Sequence, residues 1–248
     1  MLTEERHAII LQYINDHKAA TVTELTQLLD TSESTIRRDL TTLDNSKQLR
    51  KVHGGATVLE SNGIVTTEQD VRFKATQFGD EKRAIGKVAA GLIHCDDFVY
   101  IDAGTTTEAL VDAITEKAVY FTNGLIHAQK LMRKGYEVHV PSGCLRSGTE
   151  AIVGLETLES LKKYHFTCGF FGTNGIDPNA GFTTPDIGEA QVKREAFSRS
   201  QKVFVLSDAS KFNQVAPVTF GDLERATIIT DHLEDLRYRE KTSIMEVE

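Results

Sequence analysis

Thr31-Ser-Glu-Ser-Thr-Ile-Arg-Arg-Asp-Leu-Thr-Thr-Leu-Asp-Asn-Ser-Lys-Gln-Leu-Arg-Lys-Val-His-Gly-Gly-Ala-Thr57 is a helix with two unlike faces followed by a short basic segment that ends in glycines. On a 3.6-residue period Ile36, Leu40 and Leu43 share one stripe, while Ser34, Arg37, Arg38 and Thr41 share another, so one side can pack and the other can meet a partner. A guanidinium offers a fork of donors that fits phosphate oxygens or a guanine edge, and small hydroxyl residues let a backbone come close. Ser32 is the expected N-cap, and Glu33, four residues before Arg37, adds an i,i+4 pair. Taken alone, an arginine pair on an amphipathic helix is commonly just a solvated face.

The surrounding sequence favours nucleic acid. Residues 4–16 read as a first helix with Ile10, Tyr13 and Ile14 at core spacing; Ala20-Thr21-Val22-Thr23 leads into a second, with Leu25, Leu28 and Leu29 turned inward. Asp30-Thr31-Ser32 is a short turn, so the arginine helix stands where a helix-turn-helix places the element that enters the major groove. Residues 48–59 then read as strand, Gly-Gly turn and strand, with Arg50, Lys51 and His53 near the tip.

The chain has 248 residues and a net charge of -8, which argues against a protein held on nucleic acid by bulk positive charge. Charge is unevenly placed: residues 31–57 carry Arg37, Arg38, Lys47, Arg50 and Lys51 against Glu33, Asp39 and Asp44, a local excess of cations on an acidic body. That suits a specific docking face. Cys95, Cys144 and Cys168 are odd in number and widely spaced, so no disulfide framework or zinc site is expected, and all three read as buried apolar fillers. No metal and no cofactor are expected. No apolar run approaches a membrane span, and the N-terminus lacks a signal peptide's apolar stretch, so the expected location is the cytoplasm, with no membrane partner.

The expected division is residues 1–58, a winged helix-turn-helix; 59–80, a polar linker; and 81–248, a larger α/β domain. In the last, strand candidates at 98–101, 119–122, 137–140, 166–171, 202–206 and 226–230 alternate with helical stretches at 81–93, 106–114, 125–134, 150–162 and 187–198. This pattern predicts a mainly parallel, Rossmann-like sheet covered on both faces. Ligands of such sheets settle at the carboxyl ends of strands. There the sequence places Asp102-Ala-Gly-Thr-Thr-Thr107, whose Gly104 permits close approach and whose Thr105, Thr106 and Thr107 offer amides and hydroxyls at a helix start, a natural seat for phosphate. The same residues also make an ordinary βα turn. Thr122-Asn123-Gly124, Gly172-Thr-Asn174-Gly-Ile-Asp177 and Ser207-Asp208-Ala-Ser-Lys211 repeat the theme. Lys211 can meet a phosphate as a point charge, and Lys193 lies on a predicted helix. Gly181-Phe-Thr-Thr184-Pro185-Asp186 reads either as a loop able to close over a ligand or as an N-cap at Thr184 with Pro185 opening a helix.

With both halves read, the chain resembles the DeoR family of bacterial transcriptional regulators over nearly its full length. Ser-Glu-Ser-Thr-Ile-Arg-Arg-Asp-Leu (32–40) and Lys-Val-His-Gly-Gly-Ala (51–56) are similar to the family's DNA-binding signature; Ile-Asp-Ala-Gly-Thr-Thr-Thr, Thr-Asn, Gly-Thr-Asn-Gly and Asp-Ala-Ser-Lys are similar to its sensor signature. The resemblance implies a winged helix joined to a sensor domain whose fold is similar to ribose-5-phosphate isomerase. It also implies repression of a sugar-utilisation operon, double-stranded operator DNA as partner, and release by a phosphorylated sugar. Gly181–Asp186 and Val-Lys-Arg-Glu (192–195) look most like regulators of sugars imported by the phosphotransferase system, such as fructose and lactose operon repressors, which would make fructose 1-phosphate or tagatose 6-phosphate the effector. Pro141-Ser-Gly143 departs from the Gly-Gly pair of many relatives.

The candidate DNA-contacting residues are Ser32, Glu33, Ser34, Thr35, Arg37, Arg38 and Thr41 on the helix and Arg50, Lys51, His53 and Gly54 on the wing. Carried over from the family, the sensor residues are Asp102, Gly104, Thr105, Thr106, Asn123, Gly172, Lys193, Asp208 and Lys211, joined by Thr107 and Asn174 from their places at the strand ends. A homodimer or homotetramer is expected, since two helices must reach successive major grooves. The competing class is an isomerase-like enzyme with an appended DNA-binding domain. Against it, Gly-Thr-Asn-Gly-Ile-Asp lacks the paired carboxylates that proton transfer between carbons needs, and only Asp177 stays nearby, so no catalytic residue is expected. A module binding a phosphorylated protein is a third possibility, with nothing in the sequence that demands it.

Overall fold

A computed structural model describes residues 2–46, 48–58, 74 and 77–247. The chain divides into two compact units, Met1–Gly63 and Ile64–Glu248.

In the first unit α1 (Thr3–His17), α2 (Val22–Leu29) and α3 (Glu33–Asn45) pack with three short strands, β1 (Ala19–Thr21), β2 (Arg50–Val52) and β3 (Gly55–Thr57), in the antiparallel order β1-β3-β2. β1 is an addition to the expected pattern. Thr21 closes it and also starts α2: its hydroxyl accepts from the Glu24 amide at 3.2 Å while the Glu24 carboxylate accepts from the Thr21 amide at 2.7 Å, a reciprocal cap. Ile10, Leu11, Ile14, Leu25, Leu29, Ile36, Leu40 and Leu43 form the core. Leu28, expected to face inward, is 48% exposed. It lies roughly 90° around α2 from the stripe of Val22, Leu25 and Leu29.

The second unit runs α4 (Gly79–Ala90), β4 (Phe98–Ile101), α5 (Thr105–Ala113), β5 (Val119–Thr122), α6 (Leu125–Arg133), β6 (Glu137–His139), the hairpin β7 (Cys144–Leu145) and β8 (Ile152–Val153), and α7 (Leu155–Leu161). It continues with β9 (Phe166–Gly172), β10 (Gly175–Asp177), β11 (Gly181–Thr184), α8 (Ile187–Ser198), β12 (Ser200–Leu206), β13 (Val218–Gly221), β14 (Thr227–Thr230) and β15 (Ser243–Glu246). The parallel sheet has the order β15-β14-β12-β9-β4-β5-β6. Both faces are buried, and alternate residues of a strand serve different layers: Val99 and Ile101 of β4 lie in one apolar cluster, Tyr100 in the other. The expected α/β class is therefore what the chain adopts.

Several boundaries move. Gly79 and Asp80, expected in the linker, are the first residues of α4; residues 59–73, the larger part of that linker, lie outside the described residues. The helix expected over 150–162 begins at Leu155, because Ile152–Val153 pairs with Cys144–Leu145 instead. The segment read as a possible lid is β11, every residue of which is buried between β10 and β13. Thr184 caps nothing there. Asp186 is the N-cap of α8, accepting from the Glu189 amide at 2.9 Å, so Pro185 precedes the helix. Cys168 is buried, and burial pushes its thiol up to about 12, but Cys95 and Cys144 are exposed and not core fillers.

Candidate functional site

The first unit presents a polar face built on α3. Ser32 caps the helix, accepting from the Thr35 amide at 3.3 Å, and its hydroxyl lies 2.9 Å from those of Ser34 and Thr35. With Ile36, Leu40 and Leu43 buried, Arg37, Arg38 and Thr41 are carried to the exposed side, and Arg37 meets Glu33 at 3.2 Å. The wing is tied to this face. Lys51 Nζ donates to Thr41 Oγ1 at 2.6 Å, and its amide donates to Asp44 Oδ1 at 3.1 Å. Arg50, Lys51, His53 and Gly54 are all exposed, at a turn made by His53 and Gly54, which takes φ +86°. Gly55 is not part of that turn; it belongs to β3, and a Cβ there would lie 2.2 Å from the Ala20 carbonyl oxygen. The expected Gly-Gly turn is thus one turn glycine and one close-approach glycine. Of the predicted DNA-contacting residues, those of the wing are exposed and joined to the α3 set through Lys51.

One residue of α3 escaped the sequence reading. Asp39, 4% exposed, accepts from Arg6 and lies 3.0 Å from His7 Nε2, both on α1. A polar residue one step off the apolar stripe, three after Ile36, was the available signal.

In the second unit the strand order reverses between β4 and β9, so their carboxyl ends part and leave a crevice. Asp102 follows β4; its amide donates to the Phe170 carbonyl at 2.9 Å, and its Oδ2 accepts from the Gly172 amide at 3.2 Å. Lys193, from α8, donates to the same oxygen and to the Gly172 carbonyl at 3.1 Å, closing the floor of the crevice. Burial lifts the Asp102 carboxyl above its ordinary range, with Lys193 and the Gly172 amide pulling against it.

Above this floor lies a cleft of about 700 Å³, its open mouth included. Ala103, Gly104, Thr105 and Thr106 form one wall. Gly104 has no side chain with which to cap α5, and among the described residues no side chain caps the helix start. Gly172, Thr173 and Asn174 form a second wall, Glu189 and Lys193 a third, and Asp208 and Lys211 a fourth. Asp208 is 2% exposed; burial pushes its carboxyl up, but Lys211, Ser210 and Lys82 outweigh that and hold it below its usual range. An ionised Asp208 beside Lys211 and Lys82 gives the cleft both signs of charge, able to hold an anionic group and to accept from hydroxyls.

Three predicted residues, Thr107, Asn123 and Asp102, stand outside the lining. Thr107 Oγ1 donates to the Gly104 carbonyl at 2.9 Å and meets His127 Nε2 at 3.1 Å, with no exposed surface; its place one step further round α5 turns it into the α6 contact. Asn123 Oδ1 accepts from the Ala103 amide at 3.0 Å and from Tyr100 Oη at 3.1 Å, so it braces the wall from behind. Asp102 likewise acts through Lys193. Asp177 is also absent from the lining: its Oδ1 accepts from the amides of Asn179 and Ala180 at 2.8 Å and shapes the β10–β11 turn.

Other lining residues were not foreseen: Lys74, Gln77, Phe78, Lys82, Thr149, Thr173 and Glu189. Lys74, Gln77 and Phe78 fall in the stretch read as linker. Glu189 is buried and accepts from Thr149 Oγ1 at 2.6 Å; its spacing four before Lys193 was a usable signal. Lys82 was signalled too, being in line with the buried Ile85, Gly86 and Ala89.

Comparison with known proteins bears on both faces. Residues 6–62 match the DeoR-like helix-turn-helix domain, and residues 77–232 match the DeoR C terminal sensor domain. The chain belongs to the DeoR family. Among similar proteins, "Uncharacterized HTH-type transcriptional regulator FruR" of Bacillus subtilis (strain 168) is 39% identical over 249 residues, covering 98% of each chain. The "Lactose phosphotransferase system repressor" of Streptococcus mutans serotype c (strain ATCC 700610 / UA159) is 33% identical, covering 100% of this chain and 99% of that one. Among solved structures, ribose 5 phosphate isomerase A from Neisseria gonorrhoeae matches with a TM-score of 0.41 and 16% identity, covering 54% of this chain and 53% of that one. This DeoR-family member is a DNA-binding transcriptional regulator and not an enzyme, as the names of its full-length relatives have it. No helix among its described residues is long and apolar enough to cross a membrane.

Proposed function

We propose that this regulator represses a sugar-utilisation operon of the phosphotransferase type, holding operator DNA with α3 and the β2–β3 wing and letting go when a phosphorylated sugar enters the cleft. The observation that carries the effector half is the meeting, at the β4/β9 switch point, of an uncapped helix start with Lys193, Lys211 and Asp208. A phosphate suits the amides and lysines, and sugar hydroxyls suit the carboxylates. Fructose 1-phosphate and tagatose 6-phosphate are the candidate effectors; the names of the relatives support sugars of this kind. The working unit is a cytoplasmic homodimer or homotetramer, whose symmetry presents two α3 helices to successive major grooves. Its parts are a DNA-binding domain, residues 1–58, a connecting stretch, and a sensor domain that starts by Gly79.

Release requires that the sugar phosphate bind the DNA-incompetent arrangement more tightly; a ~100-fold preference corresponds to about 2.7 kcal/mol of coupling. The test is a mobility shift with the protein's own promoter DNA across a salt series, with and without each sugar phosphate. Salt-sensitive binding relieved by one of them is expected. Binding that no sugar phosphate relieves sinks the effector reading, and no binding at all sinks the operator reading.

A further inference from the structure

The β7–β8 hairpin lies along the rim of the cleft, where Thr149 joins the lining, and its parts are held unequally. On the β8 side the Ile152 amide donates to the Asn123 carbonyl at 2.7 Å and the Leu125 amide to the Glu150 carbonyl at 3.1 Å, so the main chain fixes that strand beside the α5 wall. At the other end Gly143 takes φ +148°, and a Cβ there would lie 2.1 Å from Thr157 Oγ1, so that end is closely packed too. Between them residues 144–148 are exposed, and no apolar burial holds them down. Two side-chain contacts tie the tip to α8 across the rim: Arg146 pairs with Asp186, and Thr149 Oγ1 donates to Glu189 Oε1 at 2.6 Å. Thr149 and Glu189 line the cleft; Arg146 and Asp186 do not.

We propose that this tip, residues 146–149, is a strap over the cleft, latched to α8 by Arg146 and Thr149, which unlatches to admit the effector and closes again over it. The proposal rests on the sugar-phosphate reading above and adds a moving part to it. Gly181–Thr184 cannot be that part, being fixed between β10 and β13.

The latches have the strength a gate needs. Arg146 is 42% exposed and Asp186 23%, so water competes with their ion pair, and such a pair biases an equilibrium by a factor of about 5 at most. Glu150, at the inner end of the tip, takes φ +54°, a conformation that a residue with a side chain keeps only where its neighbours impose it, which makes a strained hinge. Segments with so little burial belong to the low-stability end of a fold, from which lids are drawn. Because the second latch is itself part of the lining, the closed strap touches whatever the cleft holds.

Stopped-flow binding tests the strap. The chain has no tryptophan, but Cys144 is exposed at the foot of the tip and Cys168 is buried, so full-length protein carrying Cys95→Ser takes an environment-sensitive thiol dye at Cys144. Fructose 1-phosphate, tagatose 6-phosphate and inorganic phosphate are first titrated calorimetrically into unlabelled protein, and each that binds is then mixed with labelled protein over a concentration series. A strap that must open first makes the observed rate level off at high ligand concentration. Arg146→Gln, outside the lining, is expected to raise that plateau and the dissociation rate together, by about 5-fold, with affinity kept within about 2-fold. Asp186→Asn keeps an acceptor for the Glu189 amide but loses the ion pair; it is expected to do the same, and it decides the matter if Arg146→Gln fails to fold. A rate that stays linear in ligand, a plateau that neither variant moves, or a dye that does not respond to a ligand bound by calorimetry overturns the strap and leaves the effector reading intact. If none of the three ligands binds, both fall together.

Discussion

Asp39 on α3 is held by Arg6 on α1: Arg6 Nη2 lies 3.1 Å from Oδ1, and Nε engages Oδ2 in a bidentate pair. Both side chains are largely buried, at 5% and 13% exposure, and His7 adds a third contact at 3.0 Å. Burial pushes the Asp39 carboxyl up, but Arg6 and His7 more than offset this and leave it below its ordinary range. The pair fixes the pitch of α3 against α1, and so the direction in which Arg37 and Arg38 project. Asp39→Asn leaves Arg6 without its counter-charge. The expected loss is about 2 kcal/mol, between the ranges for exposed and buried pairs, which speeds hydrogen exchange of the α1 and α3 amides by roughly 30-fold. Operator affinity falls with it, while cleft ligands bind as before. Unchanged exchange in α1 and α3 refutes the assignment.

The exposed arginines and the cleft are separable by mutation. Arg37→Ala is expected to weaken operator binding by about 1–3 kcal/mol and to reduce the salt slope by about 1, with sugar-phosphate affinity intact. Thr105→Val removes a hydroxyl from the wall of the cleft and is expected to do the reverse, giving a repressor that holds DNA but ignores inducer. Anisotropy titrations of labelled promoter DNA at several salt concentrations, with and without sugar phosphate, measure both. Equal damage to both activities by either change contradicts the map.

How far the sequence showed this depends on what kind of signal each part leaves. The central strands are buried on both faces, so Phe98–Ile101 and Val119–Thr122 stand out as apolar runs, and the βα turns that follow them carry their polar residues in plain view. Gly175–Asp177 and Gly181–Thr184 were not legible, because these short strands owe their state to pairing, β10 with β11 and β11 with β13 some 35 residues further on, and not to their own propensity. Strand order is likewise absent from local pattern. Without it Asp102 and Lys193, 91 positions apart, cannot be seen as an ion pair, and Thr107 and Asn123 look like ligand contacts when they are the frame behind the wall. Lys82 left only its register with Ile85, Gly86 and Ala89 as a trace, because a lone lysine on an amphipathic helix reads as solvated until the wall opposite is known.

The two glycines of the wing make different demands. Gly54 takes φ +86° with nothing within 4 Å of a built Cβ, so Gly54→Ala meets only backbone strain, about 1 kcal/mol. Gly55 lies against β1, where a Cβ would come within 2.2 Å of the Ala20 carbonyl oxygen and 3.0 Å of Thr21 Cα. Gly55→Ala must push the wing away from β1 and strain the hydrogen bond by which the Val22 amide meets the Gly54 carbonyl at 2.9 Å. It is expected to cost more, about 2–3 kcal/mol, and to reduce operator affinity further than Gly54→Ala. Thermal melts and promoter binding of the two variants check the ranking; a Gly54→Ala that is the more damaged of the two reverses it.

His127 supplies a pH signature for the sensor unit. Its ring is buried between α5 and α6, against Thr107, and burial, with Lys130 nearby, brings its imidazole down to about 4. In the unfolded chain the same ring titrates near 6.5. Between those values the unfolded state binds the extra proton, so the contribution is complete above pH 6.5 and is lost as pH falls toward 4. At pH 5 the loss is about 2 kcal/mol, or about 4–8 °C in melting temperature for a unit of this size. His127→Gln keeps a polar group beside Thr107 but cannot titrate. Scanning calorimetry of both proteins from pH 7 to pH 4.5 is expected to show the wild type losing melting temperature more steeply by that amount, and parallel profiles mean that His127 is not the group responsible.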